Sequence, residues 1–522
     1  MTTSTTNILM HLCWTPGRNL TSIFILLIGI TLYFIFKRRR KMRRTVAMLK
    51  SFDQLPTIPI LGSIHLFVGS LRERLEKMIN VTNTYDSAFV LWLLNTPVVC
   101  IGKHEDIRTV FEKCHHVEYL NVFHKVFGDS LSMLQDEKWR KSRQTTTYAF
   151  SPNKFHQYFA TLNEYSAILA NDLEPLCDTE QVFNMKSYIS KSNLSSITMN
   201  MSGYKMSSSK HECTELDNAI SETLRMESSR YTMPILFPHI MYETYLSLFR
   251  KNRLYGVMQN FAEKIVQEKL ANSTKGHLHN KPDQDTITAR PKLLIDLLFK
   301  RHNADAEFTK KHVLDEVKGV IIAGFMSTSE TISFVLLMLA MHHEAQEEVY
   351  KEIRAICGDE TFQMEDLKEL VYMEQCINET LRKFPPAVVD FRRHDEDIML
   401  KNGKVIPAGC LIIFSLYKSH HNKEFFPNAD NWDPRHFDRE RITQWRQSFF
   451  PFGSGPRLCV GSKYAMMSIK IQLVHLLRRY RLTTEMKMRD IHIVFGMVTQ
   501  NDSGYRLKLH SRVKNERSDM SA

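Results

Sequence analysis

The chain has 522 residues, of which 43% are hydrophobic and 24% charged, a composition typical of globular proteins that excludes a wholly disordered, collagen-like or coiled-coil chain. The formal net charge of +12 is concentrated near one end, because seven of the eight residues in 37–44 are basic and the rest of the chain carries only +5. Such a localised charge argues against a nucleic-acid-binding face. The nine cysteines are scattered without a Cys-x-x-Cys pair, which argues against a disulfide framework.

The amino-terminal segment predicts a membrane anchor. Residues 19–36 are uncharged, and as a helix they span about 27 Å, close to the apolar thickness of a thin bilayer. The segment lacks the flanks of a signal peptide, and the basic run after it favours the cytosolic side. We therefore expect a lumenal terminus (1–18), one transmembrane helix (19–36) and a basic stop-transfer segment with a proline hinge (37–60), in the endoplasmic reticulum membrane with the rest of the chain in the cytosol.

The pattern beyond the hinge predicts one large domain over residues 61–510, followed by a polar tail over 511–522. Residues 89–101 predict two strands around a Thr96-Pro97 turn, and residues 103–385 have a helical pattern interrupted by polar loops at 206–212 and 272–292. Short strands are predicted again in 388–414 and 491–509. Mostly helix with small sheets at both ends indicates an α+β fold.

The stretch FPFGSGPRLCVG, residues 450–461, carries the strongest chemical signal. If Cys459 binds iron as a thiolate, Gly455 and Gly461 let backbone amides approach the sulfur, and Phe452 shields it from water. The start of the following helix favours the negative charge, and Arg457 can pair with a carboxylate of a bound macrocycle. A phosphate-binding loop is disfavoured because the P-loop lysine is missing and no glycine completes a G-x-G-x-x-G pattern.

This stretch resembles the haem-ligand signature of the cytochrome P450 family. The resemblance implies the helix-rich P450 fold, with haem b held by Cys459. It also implies a monooxygenase that acts on O2 and a lipophilic small molecule. The electrons are expected to come from NADPH through cytochrome P450 reductase, with cytochrome b5 as a candidate second donor. The protein is expected to contact membrane lipid and no nucleic acid. Some relatives esterify haem through a glutamate where this chain has Ala323, so we expect non-covalent haem.

Two motifs at the family's spacing predict a structural lock. Glu379 and Arg382 in ETLR are three residues apart, on one helical face, and resemble the family's buried Glu–Arg pair. The family completes this pair with an arginine in a Pro-x-Arg-Phe segment. Here WDPRHF has His436 at that position and Arg435 one residue earlier, so either residue can supply the third group. A neutral histidine would weaken the network.

A second set of residues resembles the family's contacts to the haem propionates. Trp139 and Arg143 in WRKSR are one helical turn apart, so their N–H groups can point the same way. Arg392, after Pro385-Pro386, matches a further propionate contact of the family. WRKSR and the stretch after Cys459 together resemble the animal microsomal branch that includes the fatty-acid ω-hydroxylases.

The segment AGFMSTSET, residues 323–331, resembles the family's oxygen-activation segment with two departures, one of which is Ser327 where the family usually has threonine. Ala323 and Gly324 leave room for a flat cofactor and a diatomic ligand, and Ser327 and Thr328 keep hydroxyl groups. Met326 stands where the family usually has an acid, so the acid–alcohol pair that relays protons is altered. Glu330, one turn later, is either a substitute proton source or a charge that faces another helix or solvent.

Two further sets of residues are predicted to contact substrate and electron donor. The distal pocket is predicted to be apolar and lined by Ile322, Phe325, Met326, Val388, Val389, Met497 and Val498. Five basic residues, in the stretch around WRKSR and in the segment after Cys459, are candidates to contact an acidic electron donor: Lys138, Arg140, Lys141, Lys463 and Lys470.

Three functions follow from these observations. The favoured one is a monooxygenase acting on a fatty acid, a hormone-like lipid or a xenobiotic, because Ser327 and Thr328 retain hydroxyls. The second is a haem-thiolate isomerase or dehydratase acting on lipid peroxides, which needs neither a proton relay nor a reductase. The third is a haem-binding protein with low turnover.

Overall fold

The computed structural model describes residues 42–117, 122–206, 210–230, 239–279, 292–358 and 361–512, together with Gly29, Tyr33 and Met233. The predicted lumenal terminus, most of the predicted transmembrane helix, residues 37–41 and most of the carboxyl-terminal tail lie outside these ranges.

Helices dominate the described ranges because long segments with few prolines carry apolar residues at helical spacing. In chain order they are α1 (Arg43–Leu49), α2 (Leu71–Thr84), α3 (His104–Lys113), α4 (His124–Phe127), α5 (Asp136–Ala149), α6 (Phe155–Leu173), α7 (Lys186–Ser202), α8 (Lys210–Ser229), α9 (His239–Leu248), α10 (Asn252–His279), α11 (Leu294–Ala304), α12 (Lys310–Met341), α13 (His343–Cys357), α14 (Val371–Lys383), α15 (Leu416–His420), α16 (Ile442–Trp445) and α17 (Ser462–Arg479).

The strands of the described ranges form small sheets. In chain order they are β1 (Asp53–Gln54), β2 (Phe89–Leu93), β3 (Thr96–Ile101), β4 (His116–Val117), β5 (Phe183–Asn184), β6 (Val389–Arg393), β7 (Ile398–Met399), β8 (Val405–Ile406), β9 (Leu411–Ser415), β10 (Tyr480–Thr483), β11 (Ile493–Gly496), β12 (Val498–Asn501) and β13 (Arg506–Ser511). The largest sheet has the order β1-β2-β3-β9-β6-β4, and the others are β10-β13-β5, β11-β12 and β7-β8. The predicted α+β, mostly helical fold is confirmed.

The predicted Thr96-Pro97 turn is wrong. The strands reverse at Leu94 and Asn95, since Leu93 pairs with Thr96 and Leu94 has a φ of +54°. Pro97 lies within β3, one residue before β3 begins its parallel pairing with β9. A proline at that position removes no hydrogen bond from the parallel ladder, so the strand tolerates it.

The two predicted polar loops are partly helical. α8 begins at residue 210, inside the first predicted loop, and α10 continues to residue 279, inside the second. Glu212 lies in the first turn of α8, where the negative charge of a carboxylate stabilises the amino terminus of the helix. No proline occurs between residues 252 and 279, so nothing in the sequence forces α10 to end at the polar residues.

α12 is the helix that organises the core. It packs against α7, α10, α14 and α17. Within the described part of the chain it is the one helix long and apolar enough to cross a membrane, but most of that apolar stretch is buried inside the protein. It is therefore a core helix, and it packs against α17, which begins directly after the 450–461 loop.

Candidate functional site

The 450–461 loop is held in shape by its backbone. Gly455 has a φ of +67°, and a Cβ atom there would lie 2.3 Å from the carbonyl oxygen of Phe111, so only glycine fits. The Cys459 N–H donates to the Phe452 carbonyl over 3.0 Å and closes the loop. Gly461 is the residue before the first turn of α17. The cysteine therefore stands just ahead of a helix amino terminus.

Cys459 is accessible to solvent although many protein atoms surround it. Among the eight cysteines that the structure describes, it is the only exposed one. Burial raises the pKa of its thiol, and a hydrogen bond from the Gly461 backbone and the positive charge of Arg143 act in the opposite direction. These are the supports that a thiolate ligand needs.

α5 brings its two predicted residues to this loop. Arg143 Nη1 donates to the Leu458 carbonyl over 2.8 Å. The Arg457 guanidinium carbon lies 4.1 Å from the centre of the Trp139 ring, within cation–π range. Arg457 also donates to two backbone carbonyls and one side-chain amide, over 2.7 to 3.0 Å. Trp139, Arg143 and Arg457 therefore lie together beside Cys459.

Arg392 on β6 carries a hydrogen-bond donor that nothing in the described chain satisfies. Its Nη1 donates to Asp390 over 2.5 Å and to the Phe391 carbonyl over 2.9 Å. Its Nε is buried and has no hydrogen-bond partner among the described residues. An unsatisfied donor on a buried cation costs free energy, and an anionic group at this site would remove that cost.

α12 presents small and hydroxyl side chains in its middle. Ala323 is exposed and Ser327, one turn later, is half-buried, in a helix that is otherwise mostly buried. The Ser327 hydroxyl donates to the Ala323 carbonyl over 2.9 Å. A Cβ on Gly324 would lie 3.2 Å from Ile197 of α7, so the glycine allows close helix packing. Thr328 is 3% exposed and lies about 100° around the helix from Ser327.

The predicted pocket residues of α12 are buried among other helices. Ile322, Phe325 and Met326 have exposures of 3%, 0% and 2%. The Met326 sulfur lies 4.0 Å from the hydroxyl of Ser221 on α8. Ile322 lines a cavity of about 10 Å³, which is too small for a lipid. Met326 thus replaces an acid with a side chain that packs towards α8.

The other predicted pocket residues lie on two strand regions that are neighbours in the fold, since the Thr499 N–H donates to the Pro386 carbonyl over 2.9 Å. Val388 and Val389 belong to a buried apolar cluster with Leu75 of α2. Met497, with a φ of +70°, forms the turn between β11 and β12, and Val498 begins β12. The apolar character of these residues is what any protein core would show.

Glu379, Arg382 and His436 form one buried cluster. Arg382 donates to both oxygens of Glu379 over 2.7 Å, and both side chains are fully buried. His436 Nδ1 lies 3.2 Å from each Glu379 oxygen. Arg435 instead pairs with Asp433 at 2.8 Å, with 79% of its side chain exposed. Of the two alternatives for the third group, the structure places His436 at the carboxylate.

Comparison with known proteins decides the family. The model of the family described as Cytochrome P450 matches residues 54–509, which include the cysteine loop, α12 and the buried cluster. The chain belongs to the cytochrome P450 family. Members of this family are monooxygenases that contain haem b and use electrons from NADPH, so this P450 is an oxidoreductase of that class.

Similar curated relatives place the P450 near lipid hydroxylases. It is 26% identical to Cytochrome P450 4g1 of Drosophila melanogaster, with 94% of each chain covered. It is 27% identical to Cytochrome P450 4F4 of Rattus norvegicus, with 92% of this chain and 94% of the relative covered. It is 26% identical to Leukotriene-B4 omega-hydroxylase 3 of Mus musculus, with coverages of 85% and 87%. The predicted branch with the ω-hydroxylases is confirmed.

The residues present fit haem b. Cys459 offers an accessible sulfur with an N–H donor and a cation beside it. Arg392 offers an unsatisfied donor for an acidic group such as a propionate. Ala323 supplies a small exposed surface on α12 and has no carboxyl group that could esterify the cofactor.

The family motifs do not single out Glu316, which the structure places beside the site. Glu316 precedes Ala323 by seven residues and Ser327 by eleven, so all three share one face of α12. The hydroxyl of Ser142 on α5 donates to one carboxyl oxygen, and the Leu131 N–H donates to the other over 3.0 Å. Burial raises the pKa of Glu316 to about 7. The feature of the sequence that could have pointed to Glu316 is the presence of an acidic residue within an otherwise apolar helix.

Two other charged residues are held in structural pairs. Glu330 is 1% exposed, lies 2.5 Å from the Lys186 ammonium and accepts a hydrogen bond from Tyr505 over 2.5 Å. Glu330 therefore faces other elements of the fold, which agrees with its interpretation as a charge that faces another helix and not with a proton source next to Ser327. Lys470 is 5% exposed and pairs with Glu374 at 2.7 Å, so its prediction as an electron-donor contact is wrong. Lys470 can be buried because its long apolar stem packs within the fold while its ammonium group reaches a carboxylate.

Proposed function

We propose that this P450 is a membrane-anchored monooxygenase of the endoplasmic reticulum that inserts one oxygen atom of O2 into a lipophilic substrate. The observation that carries the proposal is the accessible Cys459 thiol just ahead of α17, a helix that packs against α12, on which Ala323 is exposed and Ser327 is half-buried. One side offers a ligand for iron, and the other offers space and a hydroxyl group.

The chain's own residues have distinct roles in this proposal. Haem, when bound, supplies the oxygen-activating chemistry, with thiolate donation favouring O–O cleavage. Cys459 would hold the iron, and Trp139, Arg143 and Arg392 would hold the acidic edge of the cofactor. The Ser327 hydroxyl donates to the Ala323 carbonyl, which leaves its oxygen able to accept a hydrogen bond from water. To pass its proton on, the hydroxyl must rotate away from this carbonyl, and its oxygen is then reprotonated by the water.

An exposed apolar surface supports contact with a membrane. Ile240, Leu248 and Phe249, on and just after α9, are 78%, 74% and 62% exposed, and Val68, before α2, is 59% exposed. Leu71 at the start of α2 and Tyr245 of α9 line one groove of about 180 Å³, so the two regions are neighbours. Large apolar side chains gathered on one face favour the lipid interface. The cytosolic domain would then lie on the membrane that the predicted anchor enters.

A basic surface supports electron transfer from an acidic partner, which we take to be NADPH–cytochrome P450 reductase, with cytochrome b5 as a second donor. Lys138, Arg140 and Lys141 of α5 and Lys463 of α17 are exposed, on the two helices that flank Cys459. Like-signed charge on one face accelerates the approach of an oppositely charged protein.

The substrate is proposed to be a lipid. One relative is named a leukotriene-B4 omega-hydroxylase and shares 26% identity with this chain. The predicted lining residues are apolar, with Val388 and Val389 buried in one cluster. Leukotriene itself does not follow from this identity, so fatty acids, hormone-like lipids and lipophilic foreign compounds form the test panel.

A second candidate function is favoured by α12. Met326 packs towards α8 and Glu330 is committed to Lys186 and Tyr505, so neither supplies an acid next to Ser327. A haem-thiolate isomerase or dehydratase acting on lipid peroxides needs no such acid. A haem-binding protein with low turnover would use the same Cys459 loop to hold haem and would lack both activities.

One experiment separates these functions. NADPH consumption, hydrogen peroxide and oxidised product are measured together on the purified holoprotein with its reductase and the lipid panel. Product formed in proportion to NADPH establishes the monooxygenase. Peroxide without product, together with NADPH-independent turnover of lipid hydroperoxides or endoperoxides, establishes the isomerase or dehydratase. Absence of turnover in both assays leaves the haem-binding protein.

A further inference from the structure

Asp390 on β6 is an acidic residue that directly follows two of the apolar residues predicted to line the pocket, Val388 and Val389. Its Oδ1 accepts from the Phe391 N–H over 2.7 Å and from Arg392 Nη1 over 2.5 Å. Its Oδ2 accepts no hydrogen bond from the residues that the structure describes, and 18% of the side chain is accessible. One carboxylate oxygen is therefore free to accept a hydrogen bond from another molecule.

The face of β6 that carries Asp390 is the one that packs towards the cysteine loop. Alternate residues of a strand share a face, so Asp390 and Arg392 lie on the same side of the sheet. Asp390 pairs in register with Phe414, whose ring packs edge-on against Phe111, with centroids 4.8 Å apart. The Phe111 ring in turn lies 5.5 Å from that of Phe450, the first residue of the loop. Asp390 therefore lies on the same side of the sheet as the Cys459 loop.

Arg392 leaves the second oxygen of Asp390 without a donor. The Nη1 of Arg392 serves Oδ1, and its Nε, which is buried and unpaired among the described residues, fits an acidic group of haem. β6 lies between two buried apolar clusters, so few other donors are near. A carboxylate oxygen in apolar surroundings gains free energy from a hydroxyl proton and gains nothing from a hydrocarbon, and it repels a second carboxylate.

We propose that Asp390 determines substrate specificity: its Oδ2 accepts a hydrogen bond from a hydroxyl group of a neutral lipid and disfavours the carboxylate end of a fatty acid. This inference rests on the proposed function, because it names the class of lipid that the site takes. A site that offers a hydrogen-bond partner to a substrate hydroxyl discriminates against the analogue that lacks it, since the partner is then left unpaired.

The test measures binding to the purified holoprotein without reductase or NADPH, so that the result does not depend on turnover. The probes are dodecanol, dodecanoic acid and dodecane, which share their chain length and differ at one end. Dissociation constants are taken from the change in the haem absorption spectrum, and the melting temperature with each probe gives a second readout.

Two variants and one control separate charge from hydrogen bonding. Asp390→Asn keeps the shape of the side chain and removes its charge, and Asp390→Leu removes the acceptor. Asp397→Asn is the matched control, because Asp397 also pairs with an arginine, at 2.8 Å, but lies just before β7, which belongs to another sheet. The haem content of every variant is measured first.

Wild type and Asp397→Asn are expected to bind dodecanol roughly tenfold more tightly than either other probe, as for a hydrogen bond to a charged group. In Asp390→Asn the acid gains affinity, so the ratio between alcohol and acid falls several-fold. In Asp390→Leu dodecanol binds no more tightly than dodecane.

Three results overturn the proposal: a wild type that binds the acid as tightly as the alcohol, a wild type that binds none of the probes, or an alcohol preference over dodecane that persists in Asp390→Leu. If Asp390→Leu does not retain haem, Asp390→Asn decides, and an unchanged ratio between alcohol and acid then overturns the proposal. The expected binding pattern without any NADPH-dependent product would count against the proposed monooxygenase alone.

Discussion

The two sides of the haem site follow the family pattern to different degrees. On the cysteine side, a buried network runs from Glu379 and Arg382 through His420 to the start of the Cys459 loop. On the α12 side, the usual acid is replaced by Met326, which packs towards α8. Under the proposed function, this P450 keeps the residues that would hold haem and differs from the family at a residue that would deliver protons. Changes on the cysteine side should remove the cofactor, and changes on the α12 side should alter how well oxygen chemistry is coupled.

The most severe break is Cys459→Ser. The hydroxyl of serine is a poor ligand for iron compared with a thiolate, so we expect complete loss of the thiolate-type ferrous–CO spectrum. Cys410→Ser is the control, since Cys410 is buried between strands and lies outside the loop. Retention of the spectrum in Cys459→Ser would show that another residue binds the iron.

Arg382→Ala tests the support of the cysteine side. It leaves the Glu379 carboxylate buried with most of its charge unpaired, a change that costs about 3–5 kcal/mol of folding free energy. Arg435→Ala removes a guanidinium from the exposed pair with Asp433, where solvent screens the interaction and the loss of stability is small. Thermal unfolding of the two holoproteins checks this difference. Equal melting temperatures would mean that the buried pair contributes little.

The cysteine side was also the more predictable one. Its residues lie within short motifs with fixed spacing, so ETLR and FPFGSGPRLCVG specify their local geometry directly. The choice between Arg435 and His436 could not be made from sequence, because a shift of one residue decides which side chain turns inward. Only the fold brings Pro427 and Glu379 to opposite edges of the His436 ring.

Predictions failed where distant elements determine the environment. Lys470 has the appearance of a surface lysine in sequence, but the fold places Glu374 and two carbonyls from another segment around its ammonium group. Glu316 shows no motif, and its raised pKa arises because α5 and the segment around Leu131 cover it. Helical periodicity indicates which residues of α12 share the face of Glu316, but not which elements cover that face.

Glu316→Gln tests the junction between α5 and α12. The folded protein raises the pKa of Glu316 from 4.5 to about 7, so it favours the neutral carboxyl group. Ionisation therefore costs stability that grows as the pH rises from about 4.5 to about 7 and is constant above, to a total of roughly 3 kcal/mol. We expect Glu316→Gln to gain thermal stability relative to wild type over this range. Melting temperatures measured across that range provide the check.

A companion variant makes the Glu316 prediction specific. Ser142 donates to the carboxylate and lowers the pKa of Glu316, against the larger effect of burial. Ser142→Ala should therefore move the midpoint of the wild-type stability change to higher pH. A stability difference between Glu316→Gln and wild type that does not vary with pH would show that the carboxyl group keeps one charge state throughout.

Ser327→Ala is expected to have the smallest effect on the fold and a selective effect on coupling. The variant loses one hydrogen bond within α12, between the hydroxyl and the Ala323 carbonyl, so haem content should be unchanged. If Ser327 passes protons, the share of NADPH electrons that appears as peroxide should rise several-fold. Ser333→Ala is the matched control, because Ser333 makes the same type of bond to Ser329 but is fully buried away from the exposed face. If the share of electrons that appears as peroxide is equal in both variants, a group other than Ser327 delivers the protons, and the role proposed for its hydroxyl on α12 is wrong.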